Sequence, residues 1–207
     1  MMDNYALYLV TDQFDLSEHQ FLKVIEESIL GGTSIVQIRE KTSTTRDFYK
    51  LAKKTKKITD KYDVPLIIND RIDVAQAVDA AGVHLGQEDM PCRIARRILG
   101  EDKTIGISAH TYKEALKAQT DGADYLGVGA IYATDTKTDA DVATHEELIK
   151  IRDNIEIPTV AIGGIKKSNA KKIVTRYAFD GIAVVSAIMK SNNPRKSSMK
   201  LLNELKI

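Results

Sequence analysis

Two aspartates stand where a cation could be held. Asp70 closes the run "IIND" and Asp89 follows "GVHLGQ", so each lies just past a short apolar stretch. A pair of carboxylates suits one hard cation: magnesium takes one or two of them and completes its shell with water and substrate phosphate oxygens. Asp at such a junction also caps helices, so each residue taken singly has two readings. The stretch "QIREK" supplies Gln37, Ile38, Arg39, Glu40 and Lys41. Arg offers a planar fork to phosphate and Lys a mobile point charge, which together suit a polyanionic substrate. The alternative is a solvated rim with an Arg–Glu pair.

A second set of residues suits a smaller anion. "IYATDTK" places Thr134, Asp135, Thr136 and Lys137 directly after the apolar run "YLGVGA". "AIGGI" contains Gly163 and Gly164, and "AVVSAI" contains Val185 and Ser186. Glycines let backbone N–H groups approach an anion closely, although Gly-Gly also makes a plain tight turn. Asn69 and Ser108 stand at two further apolar-run ends. Ser108 reads equally as a ligand contact or a helix cap. His110 is an acid–base candidate with no visible partner. His84, inside an apolar run, reads as a packed core residue, and His19 and His145 as surface helix residues. No H-x-x-x-H pair suggests zinc.

These positions fall into register once the elements are drawn. Eight apolar runs read as strands: 6–11, 35–39, 66–69, 82–85, 104–108, 125–130, 159–162 and 181–185. They are nearly continuous rather than alternating, as expected of parallel strands covered on both faces. Helical patterns separate them. The first has capping-box spacing at Ser17 and Gln20, staple spacing at Leu16 and Phe21, a stripe of Phe21, Ile25 and Ile29, and a Gly31-Gly32 stop. The expected fold is α/β, a (β/α)₈ TIM barrel forming one catalytic domain over residues 1–207. An open doubly wound sheet is the alternative, weakened by the lack of G-x-G-x-x-G after the first strand. In a barrel, the strand C-termini and the loops after them form the active face. The carboxylate, Arg, Lys and anion-binding candidates singled out above sit there.

Composition narrows the partners. The 207 residues are 43% hydrophobic and 29% charged with a net charge of +1, which excludes gross disorder and argues against nucleic acid as partner. Trp is absent and aromatics make up only 6%, so base-stacking platforms are not expected. Cys92 is the one cysteine; it cannot form an internal disulfide, and "CRIARRIL" reads as a helix rather than a nucleophile site. No signal-like start or membrane-length apolar run is read, so the expected location is cytoplasmic. Homo-oligomer formation is left open.

The motifs "QIREK", "IINDRIDVA", "GVHLGQEDM", "GISAHT", "GADYLGVGAIYATDTK", "VAIGGI" and "GIAVVSAI" together resemble thiamine phosphate synthase, over residues 5–190. The resemblance implies a TIM-barrel transferase that joins a pyrimidine diphosphate to a thiazole phosphate, releasing pyrophosphate. Carried over by position, Gln37, Ile38, Arg39, Glu40, Lys41, Asn69, Ser108 and Lys137 would bind the pyrimidine diphosphate. Asp70 and Asp89 would hold magnesium, one ion per subunit. Thr134, Asp135, Thr136, Gly164, Val185 and Ser186 would bind the thiazole phosphate. Arg39, Lys41 and Lys137 would carry catalysis by stabilising charge on the leaving pyrophosphate. Two departures are noted: Ala133, where the family often has Pro or Ser, and Tyr177-Ala178-Phe179, in place of a usual Gly-Ala-Asp. A thiazole tautomerase, a phosphosugar isomerase or epimerase, and a non-catalytic sensor of the same precursors are the rival readings.

Overall fold

The computed structural model of the chain describes residues 5–133 and 142–205. Strands and helices alternate: β1 (Leu7–Val10), α1 (Glu18–Leu30), β2 (Ile35–Ile38), α2 (Thr45–Lys61), β3 (Leu66–Asn69), α3 (Ile72–Ala77), β4 (Gly82–Leu85) and α4 (Cys92–Leu99). Then follow β5 (Thr104–Ala109), α5 (Tyr112–Thr120), β6 (Tyr125–Val128), α6 (His145–Asn154), β7 (Thr159–Ile162), α7 (Lys167–Tyr177), β8 (Gly181–Val184), α8 (Ser186–Met189) and α9 (Pro194–Leu205). The strands pair in parallel in chain order, and β8 closes onto β1. The molecule is a closed (β/α)₈ barrel.

Local chemistry accounts for the helix starts. Ser17 accepts from the Gln20 N–H and donates its own backbone N–H to Gln20 Oε1, closing the capping box of α1. Thr111 and Glu114 do the same for α5. Phe21, Ile25 and Ile29 are buried beneath α1, with Leu16 packed against the same core.

Successive strand residues point to opposite faces, and the barrel sorts them by that alternation. Leu7, Leu9, Val36, Ile38, Leu66, Ile68, Val83 and Leu85 join the large core between strands and helices. Tyr8, Val10, Ile35, Ile67, Tyr125, Val160 and Ala183 form a separate cluster inside the barrel. The strand ends differ slightly from the expected ones. β1 is trimmed by one residue at each end, β2 stops before Arg39, and β5 runs on to Ala109. β6 ends at Val128 rather than Ala130, because from Ile131 the chain bonds to Ile162 O and leaves the ladder.

In the outer layer, α9 packs against α1, α7 and α8. Gly31 makes the closest approach: a Cβ there would lie 2.3 Å from Arg195 O and 2.7 Å from Ser198 Cβ. The Tyr177-Ala178-Phe179 departure lies on the outer layer. Tyr177 and Phe179 are buried with ring centroids 6.1 Å apart, and the Tyr177 hydroxyl meets His145 Nδ1 at 2.8 Å. Ala178 ends α7 in the left-handed conformation. None of the three lines the cavity described next. No described helix is long and apolar enough to cross a membrane.

Candidate active site

A cavity of about 460 Å³ opens at the C-terminal ends of the strands. Gln37, Arg39, Lys41, Asn69, Asp70, Asp89, Ser108, Gly164, Val185 and Ser186 all line it, so two sets of residues separated in sequence meet in one space. Ile38 does not: its side chain turns outward into the core between strands and helices. Glu40 lies beside the cavity rather than in its wall; one carboxylate oxygen accepts from Ser43 Oγ at 2.8 Å and the other is buried without a partner among the described residues. Thr134, Asp135, Thr136 and Lys137 lie outside the described residues.

The cation-binding candidates sit over neighbouring strands. Asp70 follows β3 with φ of +62°, a left-handed conformation that Asp tolerates better than most residues, and its N–H is held by His84 O at 2.9 Å. Neither Asp70 nor Asp89 caps a helix. Arg71 and Pro91 occupy the N-cap positions of α3 and α4, both without a side-chain cap bond. Instead Asp89 Oδ2 accepts from the Gly86 N–H at 2.7 Å, and Asp70 Oδ2 takes Lys41 Nζ at 2.5 Å.

Burial pushes the Asp89 carboxyl above the usual carboxylate range, and adjacent Asp70 pushes the same way; the Gly86 N–H and Lys41 partly oppose them. Two adjacent acids, with Lys41 the one cation paired to them among the described residues, are short of positive charge. That is the condition a hard divalent ion relieves, and the oxygen-only donor set suits magnesium. Arg39 stands on the same side, with Nη1 3.7 Å from Asp12 Oδ2 and its backbone N–H on Thr11 Oγ1.

The opposite wall is backbone. Gly163 and Gly164 have φ of +96° and +65°, and both pack too closely for a side chain. A Cβ on Gly163 would lie 2.7 Å from Ala130 Cα, and one on Gly164 the same distance from Tyr132 Cβ. The short helix α8 follows β8 directly, so Val185 and Ser186 line the cavity beside this glycine turn, over the neighbouring strand. Lys166 and Lys190 also line the cavity here, with Lys190 Nζ 4.2 Å from the Phe14 ring centroid. Sequence reasoning missed both lysines. They lie well beyond the ends of β7 at Ile162 and β8 at Val184, where loop shape decides what points inward.

The barrel interior holds a polar chain that the apolar look of the strands concealed. Gln37 Nε2 donates to the Tyr8 hydroxyl at 2.8 Å, which meets the Tyr125 hydroxyl at 2.8 Å. Tyr125 meets His84 Nδ1 at 2.9 Å, and His84 Nε2 meets Ser108 Oγ at 3.0 Å. Burial pushes both phenols far up, so each keeps its one proton at neutral pH. His84 is buried as expected, yet it faces the cavity rather than the apolar core. Ser108 is not a cap, since Thr111 caps α5. His110 has a partner after all: its Nδ1 lies 3.4 Å from Glu114 Oε2. Burial raises the Cys92 thiol, and Cys92 lies away from the cavity lining.

With this geometry in place, comparison with known proteins is decisive. A family model described as thiamine monophosphate synthase matches residues 7–188. The chain belongs to the thiamine monophosphate synthase family. Among its relatives, the thiamine-phosphate synthase of Methanobrevibacter smithii is 55% identical over 201 residues, covering 97% of this chain and 95% of that protein. That of Clostridium botulinum strain Hall is 54% identical over 200 residues, covering 96% and 97%. Among solved structures, the thiamine phosphate pyrophosphorylase of Pyrococcus furiosus superposes with a TM-score of 0.88 at 40% identity, covering 97% of this chain and 95% of that one. The synthase family match spans every strand of the barrel and every described residue of the cavity wall except Lys190.

Proposed function

We propose that this chain, acting as one catalytic domain in the cytoplasm, joins 4-amino-2-methyl-5-(diphosphooxymethyl)pyrimidine to 4-methyl-5-(2-phosphooxyethyl)thiazole. The products are thiamine phosphate and pyrophosphate. The observation behind this reading is that one cavity has two unlike ends. Arg39, Lys41, Asp70 and Asp89 stand at one end, and the glycine turn after β7 with the loop after β8 stands at the other. The first end suits a diphosphate with its cation, the second a monophosphate; a barrel commonly binds phosphate in the loops after strands seven and eight.

Arg39 and Lys41 hold the diphosphate and stabilise the negative charge that builds on it as the methylene carbon–oxygen bond breaks. That electron pair leaves with pyrophosphate. The electron-rich aminopyrimidine carries the positive charge left on its methylene. The thiazole nitrogen, positioned through its phosphate anchor at Gly164, Val185 and Ser186, then supplies its lone pair to form the new carbon–nitrogen bond. No proton is lost from that nitrogen, so no general base is needed. Asp70 and Asp89 would hold one magnesium per subunit, which when bound offsets diphosphate charge. Thr134, Asp135, Thr136 and Lys137, carried over from the family, complete the anion contacts, with Lys137 on the pyrophosphate side. The partners are thus small molecules, and the carboxylate pair with Lys41 favours this reaction over a tautomerisation or sugar-phosphate isomerisation.

Mixing the protein with both precursors and magnesium should release pyrophosphate and form thiamine phosphate in equal amounts. Absence of both products would reject the reading. In the same assay Lys137→Ala should slow bond cleavage more than it weakens thiazole phosphate binding, and the reverse result would place that lysine at the wrong end.

A further inference from the structure

The polar chain through the barrel centre can order its protons in either of two senses. Gln37 donates a side-chain N–H to Tyr8, and either phenol can donate in the Tyr8–Tyr125 contact. In one sense the Tyr8 proton goes to Tyr125 and the Tyr125 proton to His84 Nδ1. A neutral imidazole that accepts at Nδ1 bears its proton on Nε2, and that nitrogen faces Ser108 Oγ. In that sense Ser108 accepts from the histidine and keeps its own proton for the cavity. At the far end the Gln37 carbonyl oxygen remains as an acceptor. We propose that the chain takes this sense, and that Tyr8, Tyr125 and His84 are thereby positioning residues that fix an acceptor at Gln37 and a donor at Ser108, selecting an amino-substituted pyrimidine over its oxo analogue.

The selection follows from hydrogen-bond polarity. An aminopyrimidine presents an amino donor beside a ring-nitrogen acceptor, which matches the two ends. The 4-oxo compound in its lactam form presents a carbonyl acceptor beside a ring N–H donor, the reverse pattern. Accommodating it requires the Gln37 amide to flip, both hydroxyls to turn and the imidazole to change tautomer together. Because the groups polarise one another in a low-dielectric interior, that reversal is collective rather than local. The fold makes room for the chain deliberately. A Cβ on Gly106 would lie 2.1 Å from Tyr125 Cζ, and one on Gly127 would lie 2.9 Å from His84 Cε1. Glycine at these two inward positions lets the two rings meet.

This inference rests on the pyrimidine diphosphate reading above. Its test compares kcat/KM for the amino and 4-oxo pyrimidine diphosphates, each with thiazole phosphate, in the unaltered protein and in Tyr125→Phe. The preference for the amino compound should fall by about tenfold or more, the scale of one buried hydrogen bond. KM for thiazole phosphate should not change. A merely structural tyrosine would slow both compounds alike, and an unmoved ratio in an active variant overturns the proposal. Tyr8→Phe, which breaks the chain one link earlier, should move the ratio in the same direction.

A measurement on the unaltered protein needs no variant to fold. With the aminopyrimidine diphosphate bound, ¹⁵N spectra of labelled histidine should show His84 protonated at Nε2 and bare at Nδ1. The opposite tautomer, or a doubly protonated ring, overturns the stated direction. If the unaltered protein turns over neither compound, the functional reading fails and takes this inference with it. If it turns over the amino compound and the ratio stays fixed in both variants, the relay alone fails.

Discussion

At the scale of single residues, the carboxylate pair makes the sharpest claim. The Asp89 carboxyl is raised first by burial and then by Asp70 beside it. A group whose folded pKa is raised contributes stability below its unfolded pKa and loses it as pH rises through the folded one. Without a cation, ionised Asp89 therefore weakens the fold at neutral pH. Magnesium at about 100 times its Kd should stabilise the protein by about 2.7 kcal/mol, a rise in Tm of roughly 5–10 °C for a chain of this size. The rise should shrink as pH falls into the carboxylate range and protons compete for the site. Asp89→Asn should raise Tm of the metal-free protein at neutral pH and abolish the magnesium response. Thermal scans with and without magnesium across pH check this; an Asp89→Asn protein that still gained stability from magnesium would place the ion elsewhere.

At the scale of elements, the strands, the barrel they imply and the start of α1 were legible, from unbroken apolar runs and the Ser17–Gln20 box, whereas the caps at Thr44, Thr111 and Thr144 were not singled out. The interior relay was not legible, because strands that look continuously apolar hide their period. Indexed two by two, Tyr8, Gln37, Asn69, His84, Ser108 and Tyr125 all take inward positions. The glycine turn after β7 was singled out in sequence, but its reason is tertiary. Gly164 backs onto Tyr132 and Ala133, so the loops after β6 and β7 touch through it. Gly164→Ala would add left-handed strain of about 1–2 kcal/mol and a Cβ 2.7 Å from Tyr132 Cβ. KM for thiazole phosphate should rise about tenfold, the equivalent of 1.4 kcal/mol, while KM for the pyrimidine diphosphate stays level. Steady-state kinetics varying each substrate in turn check the split; equal increases would mean the turn does not serve the phosphate end alone.

Across the whole molecule, the two ends of the barrel do different work. The strand C-termini gather the cavity, whereas toward the other end α9 packs against the end of α1, where Gly31 and Ser198 allow the helices to approach. Ser198 is fully buried there, with Thr33 Oγ1 at 3.5 Å from its hydroxyl. In such barrels, the bottom face bears on stability and the top face on chemistry. Ser198→Leu forces bulk into a contact with Gly31 that has no slack, and overpacking of this kind costs about 1–3 kcal/mol. Tm should fall by roughly 2–10 °C. At 25 °C, far below the transition, KM for both substrates and the stabilisation by magnesium should be unchanged, because no residue of the α1–α9 contact lines the cavity. Calorimetry paired with kinetics on the same preparation decides it. A raised KM for either substrate, with the protein still folded, would show that the α1–α9 contact governs the mouth of the barrel as well.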